Sequence, residues 1–147
     1  MIIKQISPAE IGLLTGLNRV FAEAFDEAET YLGAIPSDEY LKTLLAKECF
    51  IAVVAFDDGR VIGGLTAYEL TKSEQERSEI YIYDLAVCSE YRRKGVATNL
   101  IKELKSIAKD RGAWVIFVQA DRGDIPAIKL YESLGIKESV YHFDIPV

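Results

Sequence analysis

The sequence predicts a single α/β domain spanning residues 1–147, and three observations carry that reading. Strand-like and helix-like runs alternate in the order β-α-α-β-β-β-α-β-α-β. The apolar run Ile80–Val87 leads through the basic turn Arg92-Arg93-Lys94 and Gly95 into a strongly amphipathic segment. Asp57-Asp58-Gly59-Arg60 joins two apolar runs and reads as a hairpin turn. A chain of 147 residues, half of them apolar and 27% charged, has ordinary globular composition. It is long enough to bury roughly two-thirds of its unfolded surface.

Taken in order, Ile2–Ser7 alternates as a first strand. Ser7-Pro8-Ala9-Glu10 has a Ser N-cap, Pro at N1 and Glu at N3, a capping-box pattern predicted to open the first helix. Ile11, Leu14, Leu17, Val20, Phe21, Ala24 and Phe25 follow at helical spacing. A polar loop through Pro36 precedes a second helix from about Ser37 to Lys47, with Tyr40, Leu41, Leu44 and Leu45 on its apolar face. Phe50–Phe56 and Val61–Leu70 form the hairpin strands, and a charged loop, Thr71–Ser78, leads to the strand Glu79–Cys88. Val96, Ala97, Leu100, Ile101, Leu104, Ile107 and Ala108 make one apolar stripe, and Gly112 follows the last basic turn. Trp114–Gln119 is a buried-type strand, Asp124 caps a short helix ending near Gly135, and Ile136–Ile145 is a last strand.

Charge narrows the partners. The formal net charge is −6, so nucleic acid is not expected as a general partner. No run approaches the ~18 consecutive apolar residues of a membrane span. The N-terminus lacks the apolar core of a signal peptide, and two cysteines, Cys49 and Cys88, make no disulfide framework. The cytoplasm is therefore the expected compartment. Residues 20–41 hold Glu23, Asp26, Glu27, Glu29, Asp38 and Glu39, whereas residues 92–111 hold Arg92, Arg93, Lys94, Lys102, Lys105, Lys109 and Arg111. The basic stretch suits an anion and the acidic one a cation.

A strand, basic turn, glycine and helix in succession expose backbone N–H groups at a helix N-terminus, where the dipole also favours negative charge. That arrangement reads as a phosphate-binding loop. The spacing is neither a P-loop nor a dinucleotide fingerprint. Arg92-x-x-Gly95-x-Ala97 resembles the Gln/Arg-x-x-Gly-x-Gly/Ala signature of GCN5-related N-acetyltransferases (GNAT). Asp124-x-x-Ala127-x-x-x-Tyr131-x-x-x-Gly135 resembles that family's Asn-x-x-Ala-x-x-x-Tyr-x-x-x-Gly-Phe element.

The resemblance implies the acyl-CoA N-acyltransferase fold, with a mixed, mostly antiparallel central sheet flanked by helices. It also implies acetyl-CoA as cosubstrate and no metal. The pyrophosphate would lie on Arg92, Arg93, Lys94, Gly95, Val96, Ala97 and Thr98, with Asp124 nearby. The pantetheine arm would take backbone hydrogen bonds from Leu85 and Val87, where two central strands splay, leaving Asp84 facing the acceptor. Many members close with two strands after the final helix, but this chain has room for one. A partner subunit, as in a homodimer, could then cover the sheet edge.

Acetyl transfer to an amine needs a held thioester, a deprotonated amine and a proton for the departing thiolate. Tyr131 is the candidate acid: a phenol titrates near ~10 and a thiol near ~8.5, so the phenol is protonated at neutral pH. Its alternative is packing between the last helix and the sheet. Asp84 interrupts a run otherwise fit for a central strand, and an isolated buried carboxylate is costly. It is the candidate base, or else a structural carboxylate at a bulge. His142, the only histidine, lies beside Asp144 and is a third catalytic candidate, although a lone strand histidine is more often structural. Cys88 reads as a small packing residue rather than a nucleophile.

A finer resemblance is carried by Arg77-Ser78-Glu79-Ile80-Tyr81-Ile82-Tyr83-Asp84-Leu85-Ala86-Val87, Val118-Gln119-Ala120-Asp121, Leu134-Gly135-Ile136 and His142-Phe143-Asp144-Ile145. These segments look like the aminoglycoside 3-N-acetyltransferases of the gentamicin-modifying type. The resemblance implies a polycationic acceptor acetylated at the 3-amino group of a 2-deoxystreptamine aminoglycoside. Glu79, Asp84, Asp121 and Asp144 would attract it, with Asp26 and Glu29 as an added acidic wall. Acetyltransferases for polyamines or peptide and protein amines fit the same acidic cleft. A non-catalytic acyl-CoA-binding sensor is the reading from a different class.

Overall fold

The computed structural model describes all residues, 1–147. Along the chain it forms β1 (Ile2–Gln5), α1 (Ile11–Ala24), α2 (Ala28–Leu32), α3 (Asp38–Ala46), β2 (Phe50–Asp57), β3 (Arg60–Thr71) and β4 (Ser78–Val87). A single 3₁₀ turn, Ser89–Tyr91, then leads to α4 (Val96–Asp110), β5 (Ala113–Val118) and α5 (Ile125–Leu134). The five strands lie in one sheet in sequence order. The first three pairings are antiparallel and β4–β5 is parallel. A parallel pair needs a crossover, and α4 supplies it. The mixed, mostly antiparallel sheet flanked by helices is thus the one the sequence predicts.

Side-chain alternation along the strands divides the core in two. Ile51, Val53 and Ala55 of β2 face α4, where Val96, Leu100, Ile101 and Leu104 complete one cluster. Phe50, Ala52 and Val54 face the opposite way, against Leu14, Leu17, Val20 and Phe21 of α1 and Leu41 and Leu45 of α3. Ser37 caps α3 by accepting the Tyr40 N–H at 3.1 Å, as its sequence position predicts.

Two terminal expectations are corrected. The first helix begins at Ile11 rather than at the Ser7 capping box. Only half of the box forms: the Ser7 N–H donates to the Glu10 carboxylate at 3.0 Å, and Lys4 also pairs with that carboxylate. Drawn to β1 in this way, Glu10 closes a turn over residues 7–10 before the helix can start. The second correction is larger. Ile136–Ile145 forms no strand, and residues 136–147 make no backbone hydrogen bond. Alternation shows that a segment can be a strand, but pairing needs a free edge within reach, and this chain does not bring the two together. No helix is long and apolar enough to cross a membrane.

Gly64 of β3 lies directly beneath Leu17 of α1. A Cβ there would lie 2.6 Å from both the Val53 carbonyl oxygen and Leu17 Cδ1. The leucine tip can turn, but the strand carbonyl cannot. Gly64→Ala should therefore destabilise the fold by about 1–3 kcal/mol, the usual cost of overpacking. Urea unfolding would measure it as a lower midpoint with an unchanged slope.

Candidate active site

The site starts from a register shift in β4. Thr66 pairs with Asp84 and Ala67 with Ile82, so Tyr83 is the extra residue of a β-bulge. Before the bulge, Ile80 and Ile82 point into the α4 cluster; after it, Val87 points there and Ala86 points to the α1 side. The bulge thus reverses the parity of the strand. Asp84 shares the sequence parity of Ile80 and Ile82, yet it lands on the α1 face beside Tyr83 instead of inside the core.

The same segment loses its second neighbour. Pairing between β4 and β5 ends at Ile82 and Val118, so residues 83–87 are covered by β3 on one edge only. The Cys88 N–H bonds to the Ile62 carbonyl of β3. By strand alternation, the backbone groups of Leu85 and Val87 turn toward the uncovered side. Arg92 Nε donates to the Val87 carbonyl at 3.0 Å, tying the following turn to this strand.

That turn keeps its donors free. Arg93 and Gly95 have left-handed φ values of 60° and 78°, and Gly95 is the N-cap of α4. The N–H groups of Arg93, Lys94, Gly95, Val96, Ala97 and Thr98 have no partner within the chain. A Cβ on Gly95 would meet open space, so glycine suits this position through its φ and not by relieving crowding. Successive unpaired donors at a helix N-terminus form an anion cradle of the size of a phosphate group. The donor set therefore fits a pyrophosphate. Lys94 Nζ is turned back onto the Glu90 carbonyl at 2.9 Å, so in this arrangement it serves the turn itself.

On the other side of β4, Asp84 borders a cleft of about 210 Å³ whose walls include Phe50, Tyr68, Tyr83 and Tyr40. Phe50, Tyr68, Tyr83, Tyr81 and Phe117 form a continuous aromatic row, with successive ring centroids 5.3, 6.1, 5.9 and 4.8 Å apart. Tyr31 Oη donates to Asp84 Oδ2 at 3.0 Å. The Tyr31 ring is held against Phe21 and Phe25, with centroids 5.8 and 5.9 Å away. Burial raises the Asp84 carboxyl above its ordinary value; the Tyr31 hydrogen bond opposes that rise and the Glu27 charge adds to it.

The other predicted residues divide. Tyr131, on α5, packs against the α4-side cluster, and burial with the Asp124 charge pushes its phenol up to about 12. Asp124 caps α5 by accepting the Ala127 N–H at 3.2 Å. Glu79 is 3.4 Å from Lys72 Nζ. Asp121 is exposed in the loop after β5, and Asp26 and Glu29 are exposed around α2. Glu27 and Tyr31 are the residues of the acidic stretch that act on Asp84. His142 and Asp144 pair with each other at 2.9 Å on the exposed C-terminal segment, away from the sheet. Cys88 is buried and lines a cavity between α1 and the basic turn; burial raises its thiol, which keeps it protonated.

Sequence reasoning missed Tyr31, α2 and the aromatic row. A tyrosine inside an otherwise acidic loop was the available signal for the first. The row joins residues distant in sequence and becomes visible only through the pairing register.

A carboxyl whose pKa is higher in the folded than in the unfolded chain holds its proton more tightly when folded. Its stabilising share is present below the unfolded value and is lost as pH rises through the folded one. Asp84→Asn should therefore raise Tm at neutral pH, on the order of a few degrees. The gain should vanish under acid conditions, where Asp84 is protonated in both states. Thermal unfolding at several pH values checks both halves.

Comparison with known proteins agrees with this geometry. The profile of the Acetyltransferase (GNAT) family matches residues 16–136. The N-alpha-acetyltransferase of Saccharolobus solfataricus is 41% identical over 59 residues, covering 40% of this chain and 35% of that protein. N-acetyltransferase 8 of Homo sapiens is 27% identical over 90 residues, covering 61% of this chain and 40% of that protein. The match thus spans about two fifths or less of these curated relatives. Solved structures match over nearly the full length. An aminoglycoside acetyltransferase from an uncultured soil metagenomic sample superposes with a TM-score of 0.97 at 53% identity, covering 99% of this chain and 97% of that one. A second, also from a soil metagenomic sample and in complex with sisomicin, has a TM-score of 0.92 at 30% identity, covering 99% and 95%. With most of its length carrying the family pattern, the chain belongs to the GNAT acetyltransferase family.

Proposed function

We propose that the protein transfers the acetyl group of acetyl-CoA to the 3-amino group of a 2-deoxystreptamine aminoglycoside. The observation that carries this reading is the placement of Asp84: a partly buried carboxylate at the strand splay, on the floor of an aromatic-walled cleft. Aromatic faces suit sugar rings and attract ammonium groups. The chain's acidic balance favours a polycation. The similarity to two aminoglycoside acetyltransferases, one of them holding sisomicin, supports the same acceptor class.

In this reading the unpaired N–H groups of residues 93–98 hold the pyrophosphate, and the uncovered backbone of Leu85 and Val87 holds the pantetheine arm. Asp84 takes a proton from the acceptor ammonium, directly or through water. The freed amine nitrogen attacks the thioester carbonyl carbon, an N–C bond forms and the C–S bond breaks. Tyr131 gives its proton to the departing thiolate and is later reprotonated from solvent. The upward shift of Asp84 makes it a better base than an ordinary carboxylate, because its proton affinity moves toward the operating pH. An amide carries no charge at neutral pH, so each transfer removes one ammonium from the drug. Contacts of that ammonium with ribosomal RNA phosphates would weaken, which is a route to antibiotic resistance.

A second reading, transfer to a peptide α-amine, is favoured by the similarity to an N-alpha-acetyltransferase. Thiol release from acetyl-CoA, measured with gentamicin-like aminoglycosides, polyamines and short peptides, decides between them. Turnover of the aminoglycosides, with one acetyl found by mass spectrometry on the 3-amine, is the expected result. Turnover of peptides or polyamines alone would overturn the acceptor assignment, and thiol release with none of them would point to the sensor reading.

Tyr131→Phe keeps the ring and removes the proton. It should leave coenzyme A binding intact and lower kcat by about 10²–10⁴, the usual cost of losing a general acid. A kcat within a fewfold of the parent, with chemistry still rate-limiting, would return Tyr131 to a packing role.

A further inference from the structure

A carboxylate has two oxygens, and those of Asp84 meet different surroundings. Oδ2 accepts the Tyr31 phenol at 3.0 Å. Oδ1 has no hydrogen-bond partner within the chain, yet it is not sealed from solvent. One oxygen is held and the other is open. The holding group comes from α2, 53 positions away in sequence.

The position of that donor is fixed by packing. The Tyr31 ring lies 5.8 Å from Phe21 and 5.9 Å from Phe25, and those two rings stack 5.7 Å apart. Phe21 is 1% exposed, so the hydrophobic core anchors one end of the group. A tyrosine hydroxyl lies on the axis of its ring, so placing the ring places the donor. Burial and the Asp84 charge raise the Tyr31 phenol above its ordinary value, which keeps the proton on it. Around the carboxylate stand Tyr40 of α3, Tyr68 of β3, Tyr81 and Tyr83 of β4, Glu27 just before α2, and the neutral Asn18 of α1. Phenols are ordinarily neutral across the acid and neutral range. No lysine, arginine or histidine lines the cleft. Glu27 is the charge that opposes ionisation of Asp84, and Tyr31 is the group that favours it.

We propose that Tyr31 is a positioning residue for proton transfer: by holding Oδ2 of Asp84, it leaves Oδ1 as the atom that takes the proton of the acceptor ammonium. An O–H bond forms at Oδ1 as the N–H bond breaks, and the electron pair left on nitrogen is the pair that attacks the thioester. The proton later passes to solvent. Tyr31 gives up no proton and acts through Asp84 alone. This role rests on the transferase reading above, and it adds to that reading a residue and a choice of atom.

The first readout of the test needs no turnover, so it separates this role from the transferase reading. The full chain is isotope-labelled at its aspartate carboxyls, and the Asp84 NMR signal is the one missing from Asp84→Asn. Tyr31→Phe keeps the ring against Phe21 and Phe25 and removes only the hydroxyl. The Asp84 titration midpoint should then move to higher pH, because the charged form has lost its donor. Glu27→Gln should move it to lower pH. The second readout is the pH profile of kcat/KM for gentamicin with acetyl-CoA. In Tyr31→Phe its acid limb should move up with the NMR midpoint. The loss on that limb should be about tenfold, the scale of one hydrogen bond to a charged group, and should shrink above it. A midpoint unmoved in folded Tyr31→Phe would overturn the proposal, as would an equal loss of kcat/KM at every pH, the mark of a structural role. A midpoint that moves while the rate limb stays also overturns it, since Asp84 would not then govern proton transfer. A midpoint that moves without turnover of any acceptor supports the hold on Asp84 and overturns the transferase reading instead.

Discussion

The bulge at Tyr83 is the constraint on which the rest of the site depends. Were β4 to run regularly through Tyr83 with no bulge, Asp84 would keep the parity of Ile80 and Ile82 and enter the α4 cluster, where a lone carboxylate is costly. With it, Asp84 turns to the cleft and Val87 still reaches the core. The end of β4–β5 pairing at Ile82 adjoins the bulge, so carboxylate and uncovered backbone lie within a few residues of each other. The two sides of the strand are thereby divided, with the carboxylate on the α1 face and the uncovered backbone on the open edge.

Asp84 carries a cost for the fold. Its burial disfavours the charged form, and Tyr31 offsets part of that cost with one hydrogen bond. The Phe21–Phe25–Tyr31 group fixes this donor from a short helix that buries nothing of its own. The opposite face is built on rigid ground, because α4 buries Val96, Leu100 and Leu104 directly behind the anion cradle.

Much of this was legible in the sequence, and for identifiable reasons. The strand–turn–glycine–helix run is local, so the residues that form the cradle are contiguous and their types reveal the φ values required. Asp84 stood out because it broke an apolar run, although the bulge that redirects it depends on pairing with Thr66 and Ala67. The aromatic row was hidden because its five rings come from β2, β3, β4 and β5. The capping box misplaced the first helix because Lys4 and the Ser7 N–H engage Glu10 before the helix begins. The final strand, Ile136–Ile145, was misread because alternation reports which face of a segment could be buried and supplies no hydrogen-bonding partner.

The central claim is that the turn at residues 93–98 and the open edge at Leu85 and Val87 form one continuous track for acyl-CoA. Amide hydrogen exchange with and without coenzyme A tests it most directly. Slowed exchange at both segments together, with β1 and β2 unchanged, is the predicted result. Unchanged exchange at residues 93–98 under saturating coenzyme A, or protection confined to another surface, would contradict it.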